Sequence, residues 1–213
     1  MGKYVTAAEA VQVVKSGDRV YVQAAAATPT ILTKALTDRA SELRDVELCH
    51  LHTEGDAPYA NPELAESFHV NSFFIGAYVC HTLKAGNGSY TPVFLSELPL
   101  LFRKKVVKLD VVFIQVSPPN IHGYCSLGVS VEASVAAIEN AKIVIAQVNP
   151  QMPRTFGDGI LHVSEIDYLV EVNLPIYAHA VTPFTKEEEK IGTYVASLIE
   201  DKSTLQMGIG SIP

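Results

Sequence analysis

The stretch that decides the fold runs from Val111 to Val148: Val111–Val116 (VVFIQV), Val131–Asn140 (VEASVAAIEN) and Ile143–Val148 (IVIAQV). The first and last are nearly continuous apolar runs, as expected of strands covered on both faces. The middle segment has helical spacing and follows Ser130, and Leu127-Gly128-Val129 leads into it. Strand, helix and strand over this length make a βαβ crossover, which requires parallel neighbours. The expectation is an α/β fold of three layers, α/β/α, around a mostly parallel sheet.

Working outward, Thr6-Ala7-Ala8-Glu9 has capping-box spacing, and Ser16-Gly17-Asp18 closes the helix it opens. Arg19–Gln23 (RVYVQ), Val46–Leu51 (VELCHL) and Ser72–Ala77 read as further strands. Thr28 is the expected N-cap, and Pro29 the first residue, of a helix towards Leu43. Thr53–Pro62, Lys84–Ser89 and Asn173–Pro183 have loop composition. Thr185-Lys186-Glu187-Glu188 opens a last helix to about Ile199, with a strand at Thr204–Met207 after it. Residues 10–29 can be laid over 194–213: apolar-faced helix, polar turn, short strand, small residues, proline. This spacing suggests a domain over 1–184 and, in 185–213, the first helix and strand of a second, similar domain that continues elsewhere. The other reading is coincidence between two βα units.

Of the 213 residues, 48% are hydrophobic and 18% charged, which excludes a disordered chain. The net charge of −7 is spread without a Lys/Arg block, so neither nucleic acid nor a membrane surface is expected as a partner. Cys49, Cys80 and Cys125 form no CxxC pair and fit a reducing, cytoplasmic location.

Several residues carry two readings each. His122 leaves a central strand in a loop stiffened by Pro118-Pro119 and turned by Gly123; it binds an anion or caps the loop backbone. Arg154 pairs with a carboxylate or phosphate, or makes a subunit contact. His50, His52 and Glu54 alternate on one face, as an acid–base group or simply as a polar strand end. His122 and Cys125 lack the further ligands a metal site needs, and Cys125 lacks an activating base. Gly208-Ile209-Gly210, after Gln206, is a tight strand-to-helix turn, with or without a ligand on its free N–H groups.

Ser117-Pro118-Pro119, His122-Gly123, Cys125-Ser126, Gly128 and Ser130 resemble the SPP…HG-x-C-S-x-G-x-S stretch of the family-I coenzyme A transferases. The resemblance is to the branch holding acetyl-CoA hydrolase, 4-hydroxybutyrate CoA-transferase and butyryl-CoA:acetate CoA-transferase. It continues through 141–149, Met152–Asp158 and Ile160–Asp167 to Leu205–Pro213. It implies a CoA-transferase-like domain, one of two similar domains in a longer chain, with the active site between them and homo-oligomers as the usual assembly. It implies acyl-CoA and short carboxylates (acetate, butyrate or 4-hydroxybutyrate) as substrates, with no permanently bound cofactor. A glutamate would take the acyl group from the thioester as an anhydride, CoA would return to give a glutamyl-CoA thioester, and a second carboxylate would reverse the steps. In the family that glutamate lies in an H-[ST]-E-M segment beyond the position of Pro213, so no nucleophile is assigned here, and Glu165 and Glu171 are not given the role. Ser117, Pro118, His122, Gly123, Arg154, Gln206, Gly208, Ile209 and Gly210 are the residues expected near substrate or CoA. Two alternatives stand beside transfer: hydrolysis of acetyl-CoA through the same intermediate, and a non-catalytic module that binds CoA or awaits a partner domain.

Overall fold

The computed structural model describes residues 2–178 and 183–208. The chain divides into two compact units, Met1–Tyr177 and Ala178–Pro213. In the first, eight strands form one fully parallel sheet: β1 (Lys3–Tyr4), β2 (Arg19–Val22), β3 (Val46–His50), β4 (Phe68–Ser72), β5 (Gly88–Tyr90), β6 (Val111–Val116), β8 (Ile143–Val148) and β10 (Tyr168–Glu171). Their spatial order is β1-β10-β8-β6-β2-β3-β4-β5. The remaining two, β7 (Tyr124–Ser126) and β9 (Ile160–His162), pair antiparallel as a separate ribbon.

Alternation along the strands builds two cores. Val20, Val22, Phe113 and Ile145 face one side, where they pack with Leu32 and Leu36 of α2 (Thr30–Thr37) and with Ala10 of α1 (Ala7–Ala10). Tyr21, Val112, Ile114 and Ala146 face the other, against Leu98 and Phe102 of α4 (Leu98–Arg103) and Ala136 and Ala137 of α5 (Ser134–Asn140). The result is three layers around a parallel sheet. β6 and β8 pair over six residues, Val111↔Ile143 to Val116↔Val148, with α5 as their crossover. Their bounds match the sequence reading because burial on both faces left little polar signal to blur them.

Local differences have local causes. The strand expected at Ser72–Ala77 lies at Phe68–Ser72: Phe68, Val70 and Ser72 are buried in alternation, and the apolar Phe73-Phe74-Ile75 run lies beyond the ladder. Helix α2 starts at Thr30 rather than at Pro29, and Thr28 is not its cap; its Oγ1 donates to the Ala25 carbonyl (2.7 Å) and accepts from the Glu54 N–H (3.2 Å). Lys84–Ser89 is not all loop. It contains the end of α3 (Cys80–Ala85), a left-handed Gly86 and the start of β5.

In the second unit Thr185 makes the expected capping box with Glu188 and opens α6 (Lys186–Ala196). Thr204–Met207 form no paired strand among the described residues. No helix among the described residues is long and apolar enough to cross a membrane.

From β2 the chain moves outward through β3 and β4 to β5, then returns to place β6 on β2's other side. The order therefore reverses between β2 and β6. In open α/β sheets that point, at the carboxyl ends of the strands, is where a crevice forms.

Candidate active site

Four buried amide side chains line the strand ends around this reversal. Gln23, Gln115, Gln147 and Asn149 are each at most 4% exposed. Gln23 Oε1 accepts from the Gln115 backbone N–H (2.6 Å), and its Nε2 donates to the Ser130 carbonyl (2.6 Å). Gln115 Oε1 accepts from both Gln147 Nε2 (2.8 Å) and Asn149 Nδ2 (2.9 Å). Gln147 Oε1 in turn accepts from the Ile31 N–H at the start of α2 (3.1 Å). Burial of so many amides is tolerable because they satisfy one another and nearby backbone groups.

The loop after β2 is held from two sides. The Ala25 N–H donates to the His52 carbonyl (2.7 Å), and Ala25 adopts a left-handed backbone (φ 52°) that an alanine takes only under constraint. Glu132, ahead of α5, accepts from the Ala24 N–H (3.3 Å), Tyr21 Oη (2.8 Å), Ser130 Oγ (2.7 Å) and Ser134 Oγ (2.9 Å). Burial and the Glu132 charge push the Tyr21 phenol well above its ordinary range, so it stays a donor.

Past β3, His52 Nε2 lies 2.7 Å from Glu54 Oε1, and Glu54 is 4% exposed. Tyr78 and Tyr177 share a 2.8 Å hydroxyl contact. That bond, burial and the nearby Glu54 carboxylate push Tyr177 up to about 12. His50 is fully buried beside Tyr59 (ring centroids 6.2 Å apart), and neither ring nitrogen finds a hydrogen-bond partner among the described residues. Burial, then the neighbouring His52, lower its pKa to about 4. His50 is thus a neutral core residue, and the acid–base grouping reduces to His52 and Glu54.

Two cavities open here. One, of about 220 Å³, is lined by Ala26, Thr28, Thr30, Glu54, Gln115, Gln147 and the Leu174–Tyr177 segment. The other, of about 520 Å³, shares Thr28, Thr30 and Glu54 and adds Thr33, Lys34, Thr53, Gly55, Ala57 and Tyr59. A carboxylate, two threonine hydroxyls and a fixed amide array can bind and orient a small oxygen-bearing molecule. Among the described residues no group of three or more His, Cys, Asp or Glu could hold a metal ion.

Of the residues singled out in the sequence, Ser117, Pro118, His122, Gly123 and Arg154 come together around the β7–β9 ribbon and line neither cavity. The Ser117 N–H donates to the Ser126 carbonyl (2.9 Å), and its Oγ accepts from the Ser126 N–H (3.0 Å) and donates to the Pro118 carbonyl (3.3 Å). Gly123 turns the loop at φ 80°, and a Cβ there would sit 2.6 Å from His162 Nε2. His122 is exposed, with its backbone N–H on Asn120 Oδ1 (3.0 Å). The Arg154 guanidinium donates to the Tyr124 carbonyl (3.1 Å). Ser126 Oγ is the hub of this clasp, accepting from the Gly128 and Thr155 N–H groups. Cys125 is buried, and burial pushes its thiol up to about 11, the reverse of an activated nucleophile. Gln206 and Gly208 are exposed in the second unit, and Ile209 and Gly210 lie outside the described residues.

The sequence reading missed the amide array, although a glutamine recurs near the end of each of the three central strand segments: Gln23, Gln115 and Gln147. Ala26 and Thr28, in the small-residue run after β2, line the smaller cavity.

Residues 1–179 match the model of the acetyl-CoA hydrolase/transferase N-terminal domain. The chain belongs to that family. The chain is 43% identical over 202 residues to a succinyl-CoA:acetate/propanoyl-CoA:succinate CoA transferase of Fasciola hepatica, covering 93% of this chain and 42% of that protein. It is 41% identical over 211 residues to a 4-hydroxybutyrate coenzyme A transferase of Clostridium kluyveri, covering 99% and 49%. Among solved structures it matches Yersinia pestis RipA with a TM-score of 0.92 at 30% identity, over 99% of this chain and 52% of that one. A 4-hydroxybutyrate CoA-transferase of Porphyromonas gingivalis matches at 0.82 and 36% identity, over 99% and 49%. The chain thus spans about half the length of the curated relatives it matches.

Proposed function

We propose that the protein moves CoA between acyl-CoA and short-chain carboxylates such as acetate, butyrate or 4-hydroxybutyrate, in the cytoplasm, by a ping-pong route. A glutamate carried beyond Pro213 attacks the thioester carbonyl, and CoA leaves as thiolate, giving an acyl-glutamyl anhydride. The thiolate then attacks the glutamyl carbonyl, the acyl group departs as a carboxylate, and a glutamyl-CoA thioester remains. A second carboxylate runs the same steps backwards. The observation that carries this reading is the 220 Å³ cavity at the sheet's reversal point. That volume lies below the roughly 300–1,000 Å³ of pockets that take drug-sized ligands, so it suits a short acyl group and not a CoA molecule.

On this reading CoA itself lies outside the cavity, near Ser117, Pro118, His122, Gly123 and Arg154 of the first unit; Gln206, Gly208, Ile209 and Gly210 are kept as further proposed contacts, argued from sequence. The free N–H groups of the glycine turn would hold a developing oxyanion. Residues 185–213 open a second, similar domain, and the working enzyme is a homo-oligomer. The deciding assay supplies the full-length gene product with acetyl-CoA or butyryl-CoA, with and without added carboxylate. Carboxylate-dependent appearance of the new acyl-CoA is the expected result. Loss of thioester independent of added acid would make the protein a hydrolase, and no turnover would make it a non-catalytic module.

A further inference from the structure

Glu54 lines the smaller cavity, with His52 Nε2 2.7 Å from its Oε1, and no lysine or arginine among the described residues lines it. The carboxylate of a small acid would give up its hydration there without a guanidinium or ammonium partner, so it is the wrong end to enter. An uncharged acyl chain suffers no such penalty.

What that chain meets is fixed by a relay of amides whose orientations are forced from both ends. The Ile31 backbone N–H can only donate, so the Gln147 atom it meets is the oxygen. Gln147 therefore turns its NH₂ to Gln115. Likewise the backbone N–H groups of Gln151 (3.1 Å) and Leu174 (3.3 Å) assign the Asn149 oxygen, and Asn149 also turns its NH₂ to Gln115. Two donors converge on one Gln115 atom, which must be its oxygen. Gln115 Nε2 is left as the outward group. Its side chain is 4% exposed and lines the cavity, and Nε2 donates to no group among the described residues. A donor fixed in the cavity wall, open to the cavity and without a protein acceptor, is placed to serve a ligand that supplies an oxygen.

We propose that Gln115 is a specificity-determining residue: its Nε2 donates to an uncharged oxygen on the acyl chain of the bound acid, selecting oxygen-bearing chains over plain hydrocarbon ones. This rests on the reading of the cavity as the acyl subsite. The test uses the full-length gene product and two acids of equal chain length, 4-oxopentanoate and pentanoate. The keto oxygen of the first accepts but cannot donate.

Binding of each acid is measured by titration calorimetry for wild type, Gln115→Met and Gln147→Met, with CoA transfer followed in parallel. Wild type should prefer the keto acid. Gln115→Met should lower that preference about tenfold, the scale of one lost hydrogen bond in a dry site. Gln147→Met also alters the cavity wall, so both acids should bind less tightly, but Asn149 still holds Gln115 and the ratio between the two acids should persist. If Gln115→Met does not fold, Gln115→Asn gives the same reading: it stays an uncharged amide and draws the NH₂ back from the cavity by one methylene. Equal effects on both acids, or no keto preference in wild type, overturn the proposal. A Gln115-dependent preference without transfer of CoA to any acid would retain it and remove the transferase reading instead.

Discussion

Replacing His50 should make the fold less sensitive to acid. His50 is fully buried, its ring nitrogens lack hydrogen-bond partners among the described residues, and its pKa falls from 6.5 to about 4. A base with a depressed pKa in the fold is neutral in both states above pH 6.5. Below that value the unfolded chain takes up a proton and the folded chain does not, until about pH 4. The stability His50 permits is therefore complete above pH 6.5 and is lost as the pH falls from 6.5 to 4. With about 1.4 kcal/mol per pKa unit, the loss is about 2 kcal/mol at pH 5 and roughly 3 kcal/mol at pH 4. His50→Leu removes the titration and the unsatisfied nitrogens, and it keeps an apolar side chain against Tyr59. The assay is urea unfolding of both proteins at pH 7.5 and pH 5, so that carboxylates common to both cancel. Wild type should lose about 2 kcal/mol more than His50→Leu over that interval. Equal losses would refute the reasoning, because His50 would then gain its proton as readily in the fold as out of it.

Two further substitutions probe the scaffold that carries the site. Gly128→Ala should cost about 2–4 kcal/mol, from a left-handed backbone and an overpacked Met152: φ is 69°, and a Cβ would lie 2.0 Å from Met152 Sδ and 3.1 Å from the Pro153 carbonyl. Gly17→Ala is the control, since φ is 83° but nothing lies within 4 Å, and it should cost only about 1 kcal/mol; equal urea midpoints for the two would contradict the packing argument. Glu132→Gln puts a donor where Tyr21, Ala24, Ser130 and Ser134 all donate. It should cost about 1–3 kcal/mol, read as a lower urea midpoint, and an unchanged midpoint would show that the carboxylate does not hold the Ala24 loop.

The elements legible from sequence were those with a self-contained signal. β6 and β8 announce themselves because both faces are buried, and the boxes at Thr6–Glu9 and Thr185–Glu188 because capping is local. β4 was displaced because Phe73-Phe74-Ile75 outweighs the alternation of Phe68-His69-Val70-Asn71-Ser72. β1 and β5 are too short to carry a pattern, and the ribbon exists only because Tyr124–Ser126 meets Ile160–His162 across a long interval. The site divides the same way. The strand-end glutamines are visible one by one, but their hydrogen bonds depend on sheet order. Glu54 is visible beside His52, whereas its proximity to Tyr177 is a product of the fold.

The most direct test of the account is to find where CoA becomes attached. The full-length gene product, incubated with acyl-CoA in the absence of an acceptor acid, should carry CoA on a single glutamate beyond Pro213. The adduct would be mapped by mass spectrometry of its peptides. Residues 1–213 expressed alone should carry none and transfer none. CoA attached to Cys80, Cys125 or any carboxylate within residues 1–213, or turnover by that polypeptide alone, would contradict the account.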